Sequence, residues 1–156
     1  MAAKSMLESN RESINPIVKK LDFDRLIWKI SNSSGGTNLS AKDLKNAVDQ
    51  YRKFLTLKAK YPKAELVPTE EIDLIWHSHI LDTRRYSADC KKLFGRFLHH
   101  GPFFGPFSTE TQEEMGVRFN ETSKLWKREF AESIQEPNQF RCEDKKCHAP
   151  SNCRCR

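Results

Sequence analysis

The stretch Ser40-Ala-Lys-Asp-Leu-Lys-Asn-Ala-Val-Asp-Gln-Tyr-Arg-Lys-Phe-Leu55 decides the fold class. Leu44, Ala47, Val48, Tyr51, Phe54 and Leu55 recur at three- and four-residue intervals, which places them on one face of an α-helix. Ser40 with Asp43 forms a capping-box pattern, although Glu or Gln is the commoner partner for the cap. Pro62 ends the helix.

The same period appears on both sides. Upstream, Phe23, Leu26, Ile27 and Ile30 form a shorter apolar face, and the Gly- and Ser-rich run from Ser31 to Asn38 interrupts it. Downstream, Thr69 follows Pro68, and Glu70 and Glu71 suit the positive end of a new helix running to Ile80. A further helix is expected from Thr83 to Leu98, with Tyr86, Cys90, Leu93 and Phe97 on its stripe. The segment from His99 to Phe107 has two Gly and two Pro but three Phe, so it reads as a loop folded onto the core. Thr109 with Gln112 then caps a last helix that buries Met115, Phe119, Trp126 and Phe130.

No internal repeat is present and β-branched runs are few. The expected fold is mainly α: a single compact helical domain of about five helices with a Cys-rich C-terminal tail. The expected organisation is a flexible N-terminus over 1–15, the helical domain with its His-rich centre over 16–135, and the tail over 136–156.

Composition narrows the partners. At 156 residues the chain can bury a real core, and ten Phe and three Trp offset a hydrophobic fraction of only 37%. The net charge of +6 comes from 27 basic residues scattered among 21 acidic ones, so it reads as solubilising surface and nucleic acid is not an expected partner. No apolar run is long enough for a membrane span. Lys4, Glu8, Arg11 and Glu12 break any apolar export segment, so a cytoplasmic location is expected.

Four of the five histidines, His77, His79, His99 and His100, fall within 24 residues, among Asp73, Asp82, Asp89 and Cys90. These are the ligand types of zinc and other first-row metals. Residues two apart on a helix point about 200° apart, so His77 and His79 must part company. His79 falls on the apolar stripe with Ile72, Ile75 and Trp76. Asp73 and His77, at i and i+4, share the other face. With His99 or His100 returned by the following loop, they form a candidate metal or acid–base site. The competing reading has all four histidines structural, each satisfied by hydrogen bonds. Cys90 reads as a buried thiol, since a nucleophilic role needs His77 or His100 beside it.

Cys142, Cys147, His148, Cys153 and Cys155 make a second cluster, spaced Cys-x4-Cys-His-x4-Cys-x-Cys. Four thiolates, or three with His148, suffice for a tetrahedral zinc site. Disulfides and a reduced disordered tail are the alternatives.

The run Val67-Pro-Thr-Glu-Glu-Ile-Asp-Leu-Ile-Trp-His-Ser-His-Ile80, followed by Tyr86, Asp89-Cys90 and Gly95-Arg96, resembles the glycine-rich-domain-containing-protein-like family. The matching residues are Asp73, Trp76, His77, His79, Tyr86, Asp89, Cys90 and Gly95. The resemblance implies a place in the fold and no particular reaction. Within it, Trp76, His79, Tyr86, Asp89 and Cys90 are expected to be structural, with Asp89 holding a histidine ring. The glycine-rich segment of larger members is absent from a chain with six Gly.

The sequence thus points to a metal-binding helical domain using zinc or another first-row transition metal, with metal-dependent catalysis as its extension. The reading from another class is a non-catalytic interaction module. There the histidines are structural and the Phe103–Phe107 loop holds a protein partner.

Overall fold

The computed structural model describes residues 14–32, 39–101 and 112–134. Among them lie six helices and no strand: α1 (Pro16–Lys19), α2 (Asp24–Ser31), α3 (Ala41–Lys60), α4 (Glu70–Leu81), α5 (Thr83–Phe94) and α6 (Gln112–Phe130). The mainly helical class read from the sequence is the class observed. The single turn α1 was not expected; Asn15 caps it by accepting from the Ile17 amide, with Pro16 at its first position.

The long helix α3 is the mast of the fold. Its capping box is complete: the Asp43 amide donates to Ser40 Oγ at 3.2 Å, and the Ser40 amide donates to Asp43 Oδ2 at 3.3 Å. Its apolar face is buried as the periodicity predicts, with Tyr51, Phe54 and Leu57 fully enclosed. α4 packs along α3, through contacts such as Phe54 on Trp76 at 5.2 Å between ring centres. α1 and α2 also pack against α3. There Arg52 donates to the Val18 and Leu21 carbonyls and lies over the Phe23 ring, completing the turn between them.

Asp82 alone separates α4 from α5, serving as C-cap of one and N-cap of the other. α5 then stops at Phe94, four residues before the expected end. Gly95 adopts a left-handed conformation at φ +70° and closes the helix, so Phe97 falls beyond it and is 42% exposed. The chain turns back, and Leu98 returns its carbonyl to the Tyr86 hydroxyl at 2.6 Å. The stripe Tyr86, Cys90, Leu93 was legible, but the glycine breaks it before Phe97.

α6 buries Phe119 and Trp126 as expected, while Met115 and Phe130 are only partly covered. Polar ties hold it to the connection after α3. Thr122, fully buried, accepts the Val67 amide at 2.9 Å and donates back to the Arg118 carbonyl. Glu129, also buried, meets Lys60 at 2.8 Å, accepts from the Tyr61 hydroxyl, and is flanked by Arg128 at 3.1 Å. The Phe-rich segment from Pro102 and the cap at Thr109 lie outside the described residues.

Two substitutions test these joints. Gly95→Ala meets no atom within 4 Å, so only the left-handed backbone opposes it; urea denaturation is expected to show a loss of about 1–2 kcal/mol. Thr122→Val keeps the shape but orphans the Val67 amide, and a loss of about 1–3 kcal/mol is expected, with Thr122→Ser close to wild type.

Candidate metal centre

α4 carries the site because its two faces differ. Thr69 caps the helix by accepting from the Ile72 amide, and Ile72, Ile75, Trp76 and His79 turn inward. That rotation leaves Asp73 and His77 facing outward, 35% and 48% exposed.

The inward histidine sits in a ring-lined pocket. The rings of Phe23, Tyr51 and Tyr86 surround His79 at 5.2, 5.9 and 4.9 Å between centres, all near edge-to-face. Its Nδ1 lies 3.0 Å from the Tyr51 hydroxyl. Its Nε2 lies 3.3 Å from Asp89 Oδ2, off the line of a proper hydrogen bond, and has no other partner. Burial pushes the imidazole below its ordinary pKa, against the opposing pull of the Asp89 and Asp82 carboxylates. Desolvation wins, so the ring is neutral near pH 7. The tautomer that fits both contacts takes the Tyr51 proton at Nδ1 and points Nε2–H toward Asp89. His79 is thus a core residue, with Asp89 beside its ring.

Trp76 and Tyr86 transmit this order outward. The indole Nε1 donates to the Tyr86 hydroxyl at 2.8 Å, and that hydroxyl donates to the Leu98 carbonyl. Burial raises the Tyr86 pKa strongly, so the hydroxyl keeps the proton that this relay requires. Fixing Leu98 fixes the two histidines after it. His100 lies edge-on against Trp76 at 4.4 Å between centres and reaches Asp73, with Nε2 at 2.7 Å from Oδ1.

Asp73, His77 and His100 therefore converge. Each offers one ligand atom, and these atoms all lie within 4.8 Å of one another. His77 Nε2 is 3.7 Å from Asp73 Oδ2, and the two imidazoles are 4.5 Å apart between centres. Of the two candidate loop histidines the structure brings in His100. His99 lies outside the cluster, exposed against Phe97 at 5.0 Å. Cys90 is buried, and burial lifts its thiol pKa, partly opposed by hydrogen bonds from the Leu98 backbone and Tyr86. The second cluster, Cys142, Cys147, His148, Cys153 and Cys155, lies outside the described residues, as does the Phe103–Phe107 loop.

Beside the cluster opens a cleft of about 780 Å³, and His100 and Trp76 belong to its wall. Leu66, Leu93 and Met115 supply apolar lining, and Lys58, Lys63, Arg96 and Arg118 bring positive charge. These four come from α3, the connection after it, the α5 exit and α6. No sequence spacing unites them, and along the chain they look like scattered surface charge.

Fold and site together define, over the described residues, a helical domain with an Asp–His–His cluster whose His100 also lines a cleft of mixed apolar and basic wall. The UCP032817-like family model matches residues 14–140, and the chain belongs to that family. It is also similar to glycine-rich domain-containing protein 2 of Arabidopsis thaliana, at 34% identity over 91 residues, and to glycine-rich domain-containing protein 1 of the same plant, at 33% over 95. Each match covers 56% of this chain but 11% of the relative, so the matched region is about a tenth of either plant protein. No solved structure matches the chain. The resemblance to glycine-rich domain-containing proteins expected from the sequence is shown by these matches.

Cys90 offers a check on this packing. A raised, buried thiol is expected to alkylate with iodoacetamide at pH 8 at least ten-fold more slowly than in urea-unfolded chain, as read by peptide mass mapping of that residue. Equal rates would mean that the Tyr86–Leu98 joint does not enclose it.

Proposed function

We propose that this domain binds one divalent transition-metal ion, zinc or another first-row metal, through Asp73, His77 and His100. The observation that carries the reading is the mutual approach of three ligand atoms within 4.8 Å. Zinc–nitrogen and zinc–oxygen bonds of about 2.0–2.1 Å at tetrahedral angles put donors about 3.3–3.4 Å apart. A small inward movement of the exposed His77 ring, with the 2.7 Å Asp73–His100 contact opening by a similar amount, bridges the difference. The donor set, two imidazoles and a carboxylate, suits zinc and the later first-row ions better than magnesium or calcium. Three protein ligands leave a fourth position for water or another ligand, the pattern of catalytic rather than closed structural sites. Trp76, edge-on against His100, holds that ring in place.

A second reading has its own support. The 2.7 Å contact of His100 with Asp73 satisfies both groups without an ion, as in a structural pair within an interaction module.

Metal content separates the two. The untagged full chain, with Cys142, Cys147, Cys153 and Cys155 changed to Ser, is reconstituted with zinc, desalted and measured by mass spectrometry. About one equivalent is expected. His77→Ala and His100→Ala are each expected to lower it by at least an order of magnitude, while circular dichroism stays helical. No bound metal, or metal retained in both variants, would refute the proposal and leave the structural pair.

A further inference from the structure

The cleft beside the cluster carries more cation than its own carboxylates answer. Among the described residues Glu65 is the one acid in its wall, and it is engaged with Arg118 at 3.0 Å. Lys58, in its lining, is partly buried. Its ammonium reaches the Ala64 carbonyl only at 3.5 Å and lies 5.8 Å from the centre of the Phe54 ring. Among the described residues no carboxylate lies within ion-pair distance of Lys58 or Arg96. Burial lowers the Lys58 pKa; the Glu65 carboxylate opposes that, and the nearby Arg96 guanidinium adds a smaller repulsion. Two cations near enough to repel, in an apolar-walled recess, are stabilised by an incoming anion more than cations on open surface are.

We propose that this cleft binds a small organic anion with an apolar body, its acidic head between Lys58 and Arg96 and its body against Leu66, Leu93 and Met115. The wall chemistry sets the class: carboxylate or phosphate monoester at one end, hydrocarbon at the other. Because His100 lines the same cleft, such an anion lies beside the ion of the preceding proposal, and that adjacency alone rests on the metal reading. The cleft, its charge and its apolar lining do not.

The test uses the full chain, stripped of metal with EDTA, and four ten-carbon probes below their micelle-forming concentrations: decanoate, decyl phosphate, decanol and decylamine. Calorimetry is expected to show the two anions binding at least ten-fold more tightly than decanol, with decylamine weakest. Arg96→Gln, at an exposed position, is expected to weaken decanoate roughly ten-fold, and Lys58→Gln similarly. Arg25→Gln, an exposed cation on α2 away from the cleft, controls for general charge and should leave the affinity unchanged. The ratio of decanoate to decyl phosphate tells which head group the cleft prefers. Decanol binding as well as decanoate, insensitivity to both cleft variants, or an equal loss in Arg25→Gln would each overturn the proposal. So would sedimentation showing that a second copy of the chain fills the cleft. His77→Ala, which removes a ligand of the proposed metal, is expected to bind decanoate normally in the metal-free state. Failure of the metal reading is therefore distinguishable from failure of this one.

Discussion

The imidazole of His79 is buried among three aromatic rings and stays neutral there, and the rest of the site follows from that burial. A ring with one nitrogen on the Tyr51 hydroxyl and the other toward Asp89 has one comfortable orientation. Fixing it fixes the rotation of α4 about its axis. Two residues earlier the side chain must then point away from the core, so His77 is wet because His79 is dry. Four residues before His77, Asp73 lies on the same outward face. An amphipathic helix thus sorts two chemically identical residues into a core role and a surface role.

Tyr86 joins this helix to what comes next. Its hydroxyl accepts from Trp76 and donates to Leu98, so a core helix and a returning strand of irregular chain share one oxygen. Both of its partners border the site: Trp76 supports the His100 ring, and Leu98 precedes the histidine pair. Gly95 makes the return possible, since the chain must leave α5 in a conformation that residues with a Cβ resist. The outward cluster is therefore built on a buried relay that contains none of its three residues.

Much of this was legible in the sequence. The face of α3, the cap at Ser40, the start at Thr69 and the division of His77 from His79 all follow from a 3.6-residue period and from cap chemistry. These are local rules, and the sequence states them locally. Three things were not. The exit of α5 was placed too late, because an apolar stripe that continues in register to Phe97 outweighed a glycine inside it. The choice of His100 over His99 depends on how Leu98 is held, which no spacing records. The cleft's cations come from four separate segments, and along the chain they are indistinguishable from ordinary surface charge. The buried Glu129, held by Lys60, Tyr61 and Arg128, is hidden for the same reason: its partners lie up to 69 residues away.

The one-residue corner at Asp82 has a consequence for the entropy of the site. Asp73 and His100 are 27 residues apart in sequence, and bringing the ends of a flexible loop of that length together opposes contact by about 3 kcal/mol. Here the intervening chain is two helices folded back on each other at a single hinge residue, with the second returned by Gly95 and tied at Leu98. Loop closure is complete when the core forms, before any ligand arrives. An ion at Asp73, His77 and His100, as proposed, would meet a preassembled pair and leave chiefly the exposed His77 ring to order.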